Sequence, residues 1–233
     1  MSGGVADDQK VKLVAKPGNP FPFSGLLAPL RSGLGSNNGG VVFPYTPTIQ
    51  ISHNANYGAF DITHGMYAPN YYVNTPTPTI SLTAMFTANS VSEAKYMIAA
   101  IHFFKTCVKS DFGEQRRATA GTPPPILNFS SYGSVHAKNT PVIVTNFGYT
   151  LTEDVDYVTI EEDSMADGMT AEDQTIFDAG ADFIEDFSPG SKISVPTQVL
   201  LSVELRVQYP PSSVRKEFNI QDFANGSLLK GYI

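Results

Sequence analysis

Two strict alternations constrain this chain more than any other feature in it. Ile80, Leu82, Ala84, Phe86 and Ala88 alternate with Ser81, Thr83, Met85 and Thr87. Leu201, Val203, Leu205, Val207 and Tyr209 alternate with Ser202, Glu204, Arg206 and Gln208. Successive side chains on a strand point to opposite faces, so each run specifies a strand with one face in a core and the other in water. The second run is ended by Pro210-Pro211, which cannot donate to a sheet ladder. Further strands are expected over 126–132 and 141–151, and near 47–53 and 70–75. The last two lie in a stretch rich in Tyr, Thr and Asn that includes Phe43, Tyr45, Tyr57, Tyr67, Tyr71 and Tyr72.

The first alternation runs straight into a helical pattern. Ser90-Val91-Ser92-Glu93 fits a capping box, in which the Ser hydroxyl and the Glu carboxylate satisfy free N–H groups at a helix start. Ala94, Met97, Ile98, Ile101, Phe104 and Val108 then recur at helical spacing and are expected to form the core stripe of a helix over about 91–109. Lys95, His102, Lys105 and Lys109 fall opposite, and Lys109 suits the negative end of the helix dipole. The fold class that follows is mainly β with one inserted amphipathic helix (α+β), an antiparallel β-barrel or sandwich with the helix packed on it.

The 233 residues suit one domain with extensions. Residues 1–42 have no sustained periodicity and carry the punctuation of Pro17-Gly18-Asn19-Pro20 and 32–40; they read as an extended N-terminal arm, docked on a neighbour or free. Residues 43–211 read as the β domain, with an acidic insertion at about 153–190, and 212–233 as a C-terminal extension. Glu153 to Phe187 holds 13 acidic residues and no Lys or Arg, which leaves 15 basic and 9 acidic residues elsewhere. The net charge of −7 argues against phosphate-backbone binding over the whole surface. Charged residues are only 16% of the chain, against roughly 25% in typical soluble domains, and a charge-poor surface is the kind a partner can cover.

Candidate chemistry is sparse. No G-x-S-x-G elbow, phosphate loop, dinucleotide fingerprint or H-E-x-x-H is present. His53, His64, His102 and His136 are spaced 11, 38 and 34 apart, matching no local metal motif. Asp154-Val155-Asp156 begins like a calcium loop, but the rest of that loop is missing. Glu153, Asp154, Asp156, Glu161, Glu162 and Asp163 therefore have three readings: a solvated surface, a loose Ca²⁺ or Mg²⁺ site, or a channel-facing segment that repels DNA phosphates. The single cysteine, Cys107, allows no intrachain disulfide or Cys-based zinc site and reads as a small buried hydrophobe. No secretory signal and no run approaching 18 apolar residues is visible, so a cytosolic fold without a membrane span is expected. No cofactor, metal site or catalytic residue is expected.

A strand leading directly into an amphipathic helix, Ile80 to Asn89 and then Glu93-Ala94-Lys95-Tyr96, resembles the tail-tube fold of contractile-tailed phages. Gly121-Thr122-Pro123-Pro124-Pro125-Ile126-Leu127, Asn139-Thr140-Pro141-Val142-Ile143-Val144 and Asp154-Val155-Asp156-Tyr157-Val158 resemble baseplate proteins that initiate or cap the tube. The resemblance implies a tail-tube-like barrel repeated in a six-fold homo-oligomeric ring at the tube–baseplate junction of a virion assembled in the host cytoplasm. It implies neighbouring tube and baseplate hub or wedge proteins, DNA passing without specific binding, and no enzymatic activity. Two other readings stand beside it: another virion subunit (tail tube, neck or tail terminator), and a carbohydrate-binding β-sandwich using the aromatics of 43–72 as stacking platforms.

Overall fold

The computed structural model describes residues 10–16, 23, 25–31, 39–110, 121–133, 136–153, 155–161, 192–228 and 232–233. Eleven strands are described: β1 (Lys12–Ala15), β2 (Gly40–Val42), β3 (Thr48–Ser52), β4 (Asn56–Ala59), β5 (Asn70–Asn74), β6 (Thr79–Thr87), β7 (Leu127–Ser131), β8 (Ala137–Leu151), β9 (Tyr157–Glu161), β10 (Lys192–Pro196) and β11 (Gln198–Val207). The long helix α1 spans Val91–Cys107, and two short helices, α2 (Pro211–Glu217) and α3 (Ile220–Ala224), follow the last strand. The chain is mainly β with helices added, and its strand pairings are antiparallel.

Seven strands form the main sheet in the order β2-β1-β7-β8-β11-β6-β3. The two alternating runs, 119 residues apart at their first residues (Thr79 and Gln198), lie side by side, with Leu201 opposite Ala84, Val203 opposite Leu82 and Leu205 opposite Ile80. Their apolar positions are buried, except half-buried Tyr209, together with Leu13, Leu127, Phe129 and Val142 from the other half of the sheet. At up to roughly 1.5–3 kcal/mol per fully buried large side chain, this face is the main source of stability. The opposite positions of β6 and β11 are exposed, except half-buried Thr87.

The sheet is strongly curled. Only five residues, 43–47, join β2 to β3, yet these are the two outer strands. Across a flat seven-stranded sheet the edges would lie roughly 29 Å apart, whereas so short a link reaches at most about 21 Å. The link crosses the apolar side, where the Phe43 ring packs against Phe86 at 5.8 Å and Phe104 at 6.4 Å. Curling stops short of closure: β2 and β3 do not pair, so the expected barrel is corrected to an open, curled sheet. Three-residue β2 offers too short a ladder to complete the ring of hydrogen bonds.

Helix α1 covers the apolar face. Ser90 caps it, its hydroxyl accepting the Glu93 N–H at 3.3 Å, while the Glu93 carboxylate accepts the Asn89 N–H at 2.8 Å. The Tyr96 hydroxyl donates to the Val42 carbonyl and accepts from the Val42 N–H, both at 2.8 Å, tying the helix to the edge strand β2. The buried side chains are Ala94, Met97, Ala99, Ala100, Phe103, Phe104 and Cys107. Of the expected stripe, Ala94, Met97 and Phe104 are buried, Ile98 and Ile101 are half-buried at the margin, and Val108 is 39% exposed. The stripe is thus re-centred on Ala99, Ala100 and Phe103. Alanines in the middle let the helix approach the sheet closely, and the bulkier isoleucines fall to the flanks.

Two further expectations are corrected. Part of the supposed arm belongs to the core: β1 pairs with β2 and β7, and Val11, Leu13, Ala15, Leu27 and Leu30 are all buried. A four-residue strand is too short for its alternation to stand out from the glycine- and proline-rich sequence around it. The start of the acidic segment is also ordered β-structure. Strand β9 pairs with β10 in a separate ribbon, whose Ile160 and Val195 join the core beside α1.

Candidate functional site

Three of the six expected acidic site residues, Glu153, Asp156 and Glu161, are among the described residues. Glu153 follows β8 and is exposed. Asp156 is also exposed, and its carboxylate accepts the N–H of the next residue, Tyr157, at 2.8 Å. Glu161 ends β9, opposite Lys192 in the ladder, while Asp154, Glu162 and Asp163 lie outside the described residues. Among the described residues no three His, Cys, Asp or Glu side chains come together in a group that could hold a metal ion. His53 and His64 are exposed, and His136 lies edge-on to Tyr132 at 5.7 Å. His102 is held below its ordinary range by partial burial and then by the nearby Lys105 ammonium. Burial pushes the Cys107 thiol far up, so that side chain is a packed apolar group rather than a nucleophile.

Three surfaces stand out instead. The first is the polar face of the curled sheet. Thr79, Ser81 and Thr83 on β6 sit opposite Arg206, Glu204 and Ser202 on β11. β3 extends the row with Ser52, Gln50 and Thr48, and β8 with Asn146 and Gly148. Among these residues hydroxyl and amide groups dominate, with Glu204 and Arg206 as the charges; the same face also carries exposed Met85 and Leu200 and, on β1, Lys12. Gly148 sits in close packing: a Cβ there would meet the Ser202 Oγ at 2.9 Å and turn that hydroxyl away from the Gly148 carbonyl to which it donates.

The second surface is the hairpin of β4 and β5, which pair with each other alone. From His53 to Thr77 every residue except Gly58 is exposed, including Tyr57, Phe60, Met66, Tyr67, Tyr71 and Tyr72. The hairpin is braced from within. Tyr57 meets Tyr72 edge-on at 5.9 Å, Phe60 packs on Tyr71 at 4.7 Å, and the Tyr72 hydroxyl bonds Thr75 Oγ1 at 2.7 Å. The Tyr71 ring lies over Gly58, where a Cβ would be only 2.6 Å from the ring. These aromatics occupy a two-stranded ribbon rather than the walls of a cleft. Their sequence signal was a dense run of Tyr, Thr and Asn with no buried alternation and no Lys or Arg.

The third is a cleft of about 340 Å³ between edge strand β3 and the end of β7, lined by Ile49, Ile51, Ser131, Tyr132 and His136. Ile49 and Ile51 come from β3, Ser131 ends β7, and Tyr132 and His136 lie in the β7–β8 turn. Tyr132 holds φ +51°, a left-handed conformation costly for an aromatic residue.

No protein-family model matches the chain, and a search of curated proteins finds no match. Among the described residues no helix is long and apolar enough to cross a membrane.

Proposed function

We propose that the chain is a structural, non-enzymatic subunit that joins copies of itself in a ring at the junction of a phage tail tube and its baseplate. The observation that carries this reading is the two-faced, unclosed sheet. One face is packed against α1; the other carries an exposed, hydroxyl-rich row on β6 and β11. Among the described residues nothing pairs with the outer edge of β3, a hydrogen-bonding row that folded proteins normally cover. Head-to-tail repetition of such a unit covers each edge with a neighbour and closes into a ring. In that ring the polar face is the better channel wall than the acidic segment. Hydroxyls and amides with almost no net charge neither bind nor strongly repel passing DNA phosphates. The strand-into-helix order of β6 and α1 supports the tail-tube resemblance at the level of element sequence.

The test is placement in the particle. Phage tails carrying an epitope-tagged copy of this chain are labelled with gold antibody and viewed by electron microscopy. Label confined to the head-distal end of the tube, with a six-fold average of the labelled ring, is the expected result. Label along the tube or at the neck overturns the junction assignment in favour of another virion subunit. Particles without label overturn the structural reading.

A further inference from the structure

We infer that Asn225 is a deamidation site, shut while helix α3 is folded and open once it unwinds, and that its conversion loosens the C-terminal helices from the sheet. The inference does not depend on the ring reading. It starts from how α3 ends. The Gly226 N–H donates to the Phe223 carbonyl at 3.1 Å, and the Ser227 N–H to the Asp222 carbonyl at 2.9 Å. These are the two bonds of a Schellman cap, which places a left-handed residue just past the end of the helix. Gly226 holds that position with φ +77°, where a side chain would be strained. The local fold therefore calls for Gly at 226, and the residue before it is Asn225, exposed at the C-cap. Gly after Asn leaves the backbone nitrogen with the least steric hindrance to attack on the side-chain amide.

The reaction consumes only water. The Gly226 nitrogen loses its proton and bonds to the Asn225 Cγ, and the side-chain nitrogen leaves as ammonia. Water then opens the five-membered imide at either carbonyl, giving Asp or isoaspartate. In the folded cap the first step is blocked twice. Ring closure needs the Gly226 nitrogen eclipsed with the Asn225 Cβ, but at ψ −3° it eclipses the Asn225 backbone nitrogen instead. Its proton is also held by the Phe223 carbonyl. Unwinding removes both blocks. Helix α3 has five residues, none buried, and so short a helix does not hold itself. The segment returns to the body where Tyr232 stacks on Tyr209 at 4.9 Å and the Ile233 N–H donates to the Tyr209 hydroxyl at 2.9 Å. Segments with few buried contacts open without global unfolding. Both products oppose refolding of the cap. Isoaspartate inserts a methylene into the main chain, which moves the Gly226 and Ser227 N–H groups off their carbonyls. Asp adds a negative charge at the carbonyl end of α3, three residues after Asp222.

The full-length protein tests this when incubated at pH 8 with and without guanidinium. Mass spectrometry then follows the tryptic peptide from Glu217 to Lys230. Conversion at Asn225 should run at least ~10-fold faster in denaturant, a factor set by how rarely the native cap opens. Asn219 in the same peptide, followed by branched Ile220, serves as the slow internal reference. Tyr209→Phe loses the hydroxyl that accepts the Ile233 N–H, so it should raise the native rate several-fold while the sheet unfolds at the same temperature. In converted protein the amides of 219–228 should lose hydrogen-exchange protection, and those of β6 and β11 should keep theirs. Equal rates in both solvents overturn the gate, and no conversion in either overturns the site. A native rate in Tyr209→Phe equal to the parent's overturns the latch at Tyr209. Converted protein whose 219–228 amides stay protected overturns the loosening.

Discussion

The side chains that decide stability are those the helical spacing places least obviously. Phe103 is fully buried and packs on Phe104 at 5.6 Å and Phe23 at 6.0 Å, while Val108 is 39% exposed. Phe103→Ala should therefore cost about 3–5 kcal/mol in urea unfolding, and Val108→Asp under about 0.5 kcal/mol. Equal effects would return Val108 to the core and contradict the packing. Cys107 gives a second check. With its thiol buried and held protonated, it should resist thiol reagents in the native protein at pH 8 and react promptly in denaturant. Rapid native labelling would mean that the end of α1 opens. The run Met97-Ile98-Ala99-Ala100-Ile101-His102-Phe103-Phe104 explains why the stripe is hard to centre from sequence. Seven of its eight residues are apolar, so spacing alone leaves the buried side ambiguous by about one position either way.

At the scale of elements, most of the strands were written in the chain. β6, β7, β8 and β11 fall where alternation and turn residues place them, because period-2 patterning survives wherever one face is buried and the other wet. β1 and β9 escape such a reading because four or five residues carry too little pattern. A finer signal in β8 was present but easy to pass over. Val142 and Val144 keep one phase, and Phe147, Tyr149 and Leu151 keep the other. The structure resolves this with a bulge at Thr145, whose hydroxyl donates to the Glu204 carbonyl at 3.1 Å, so both groups face the same side. Inserting one alanine after Asn146 should turn Phe147 and Tyr149 to the polar face and abolish cooperative unfolding. Deleting Thr145 keeps them in phase and should be tolerated; calorimetry distinguishes the two, and equal tolerance would contradict the bulge. In the hairpin, Gly58→Val should displace the Tyr71 ring and weaken the near-ultraviolet circular dichroism of the tyrosines without altering global unfolding. The exposed hairpin was only half legible in the sequence. Its aromatics were visible, but their exposure depends on the absence of a third strand, which no local pattern records.

On the scale of the whole molecule, α2 and α3 form an annex to the sheet. Phe218, Phe223 and Tyr232 pack mainly on one another, and the annex returns to the body where Tyr232 stacks on Tyr209 at 4.9 Å and the Ile233 N–H donates to the Tyr209 hydroxyl. Ending the chain after Tyr209 should lower stability by only about 1–2 kcal/mol, whereas ending it after Thr197 should leave no cooperative transition in thermal unfolding. A folded product from the second truncation would deny β11 its central role. That role has a consequence for biosynthesis. β11 lies between β8 and β6, yet it is the last of the eleven strands to be translated. Until it emerges, the nascent sheet is two separate halves with raw edges, and its most distant contacts wait longest to form. The polar wall and the curl exist only once residue 207 has left the ribosome. A growing chain thus cannot join the two halves of its sheet early, and the position of one strand makes completion of the fold the last event of synthesis.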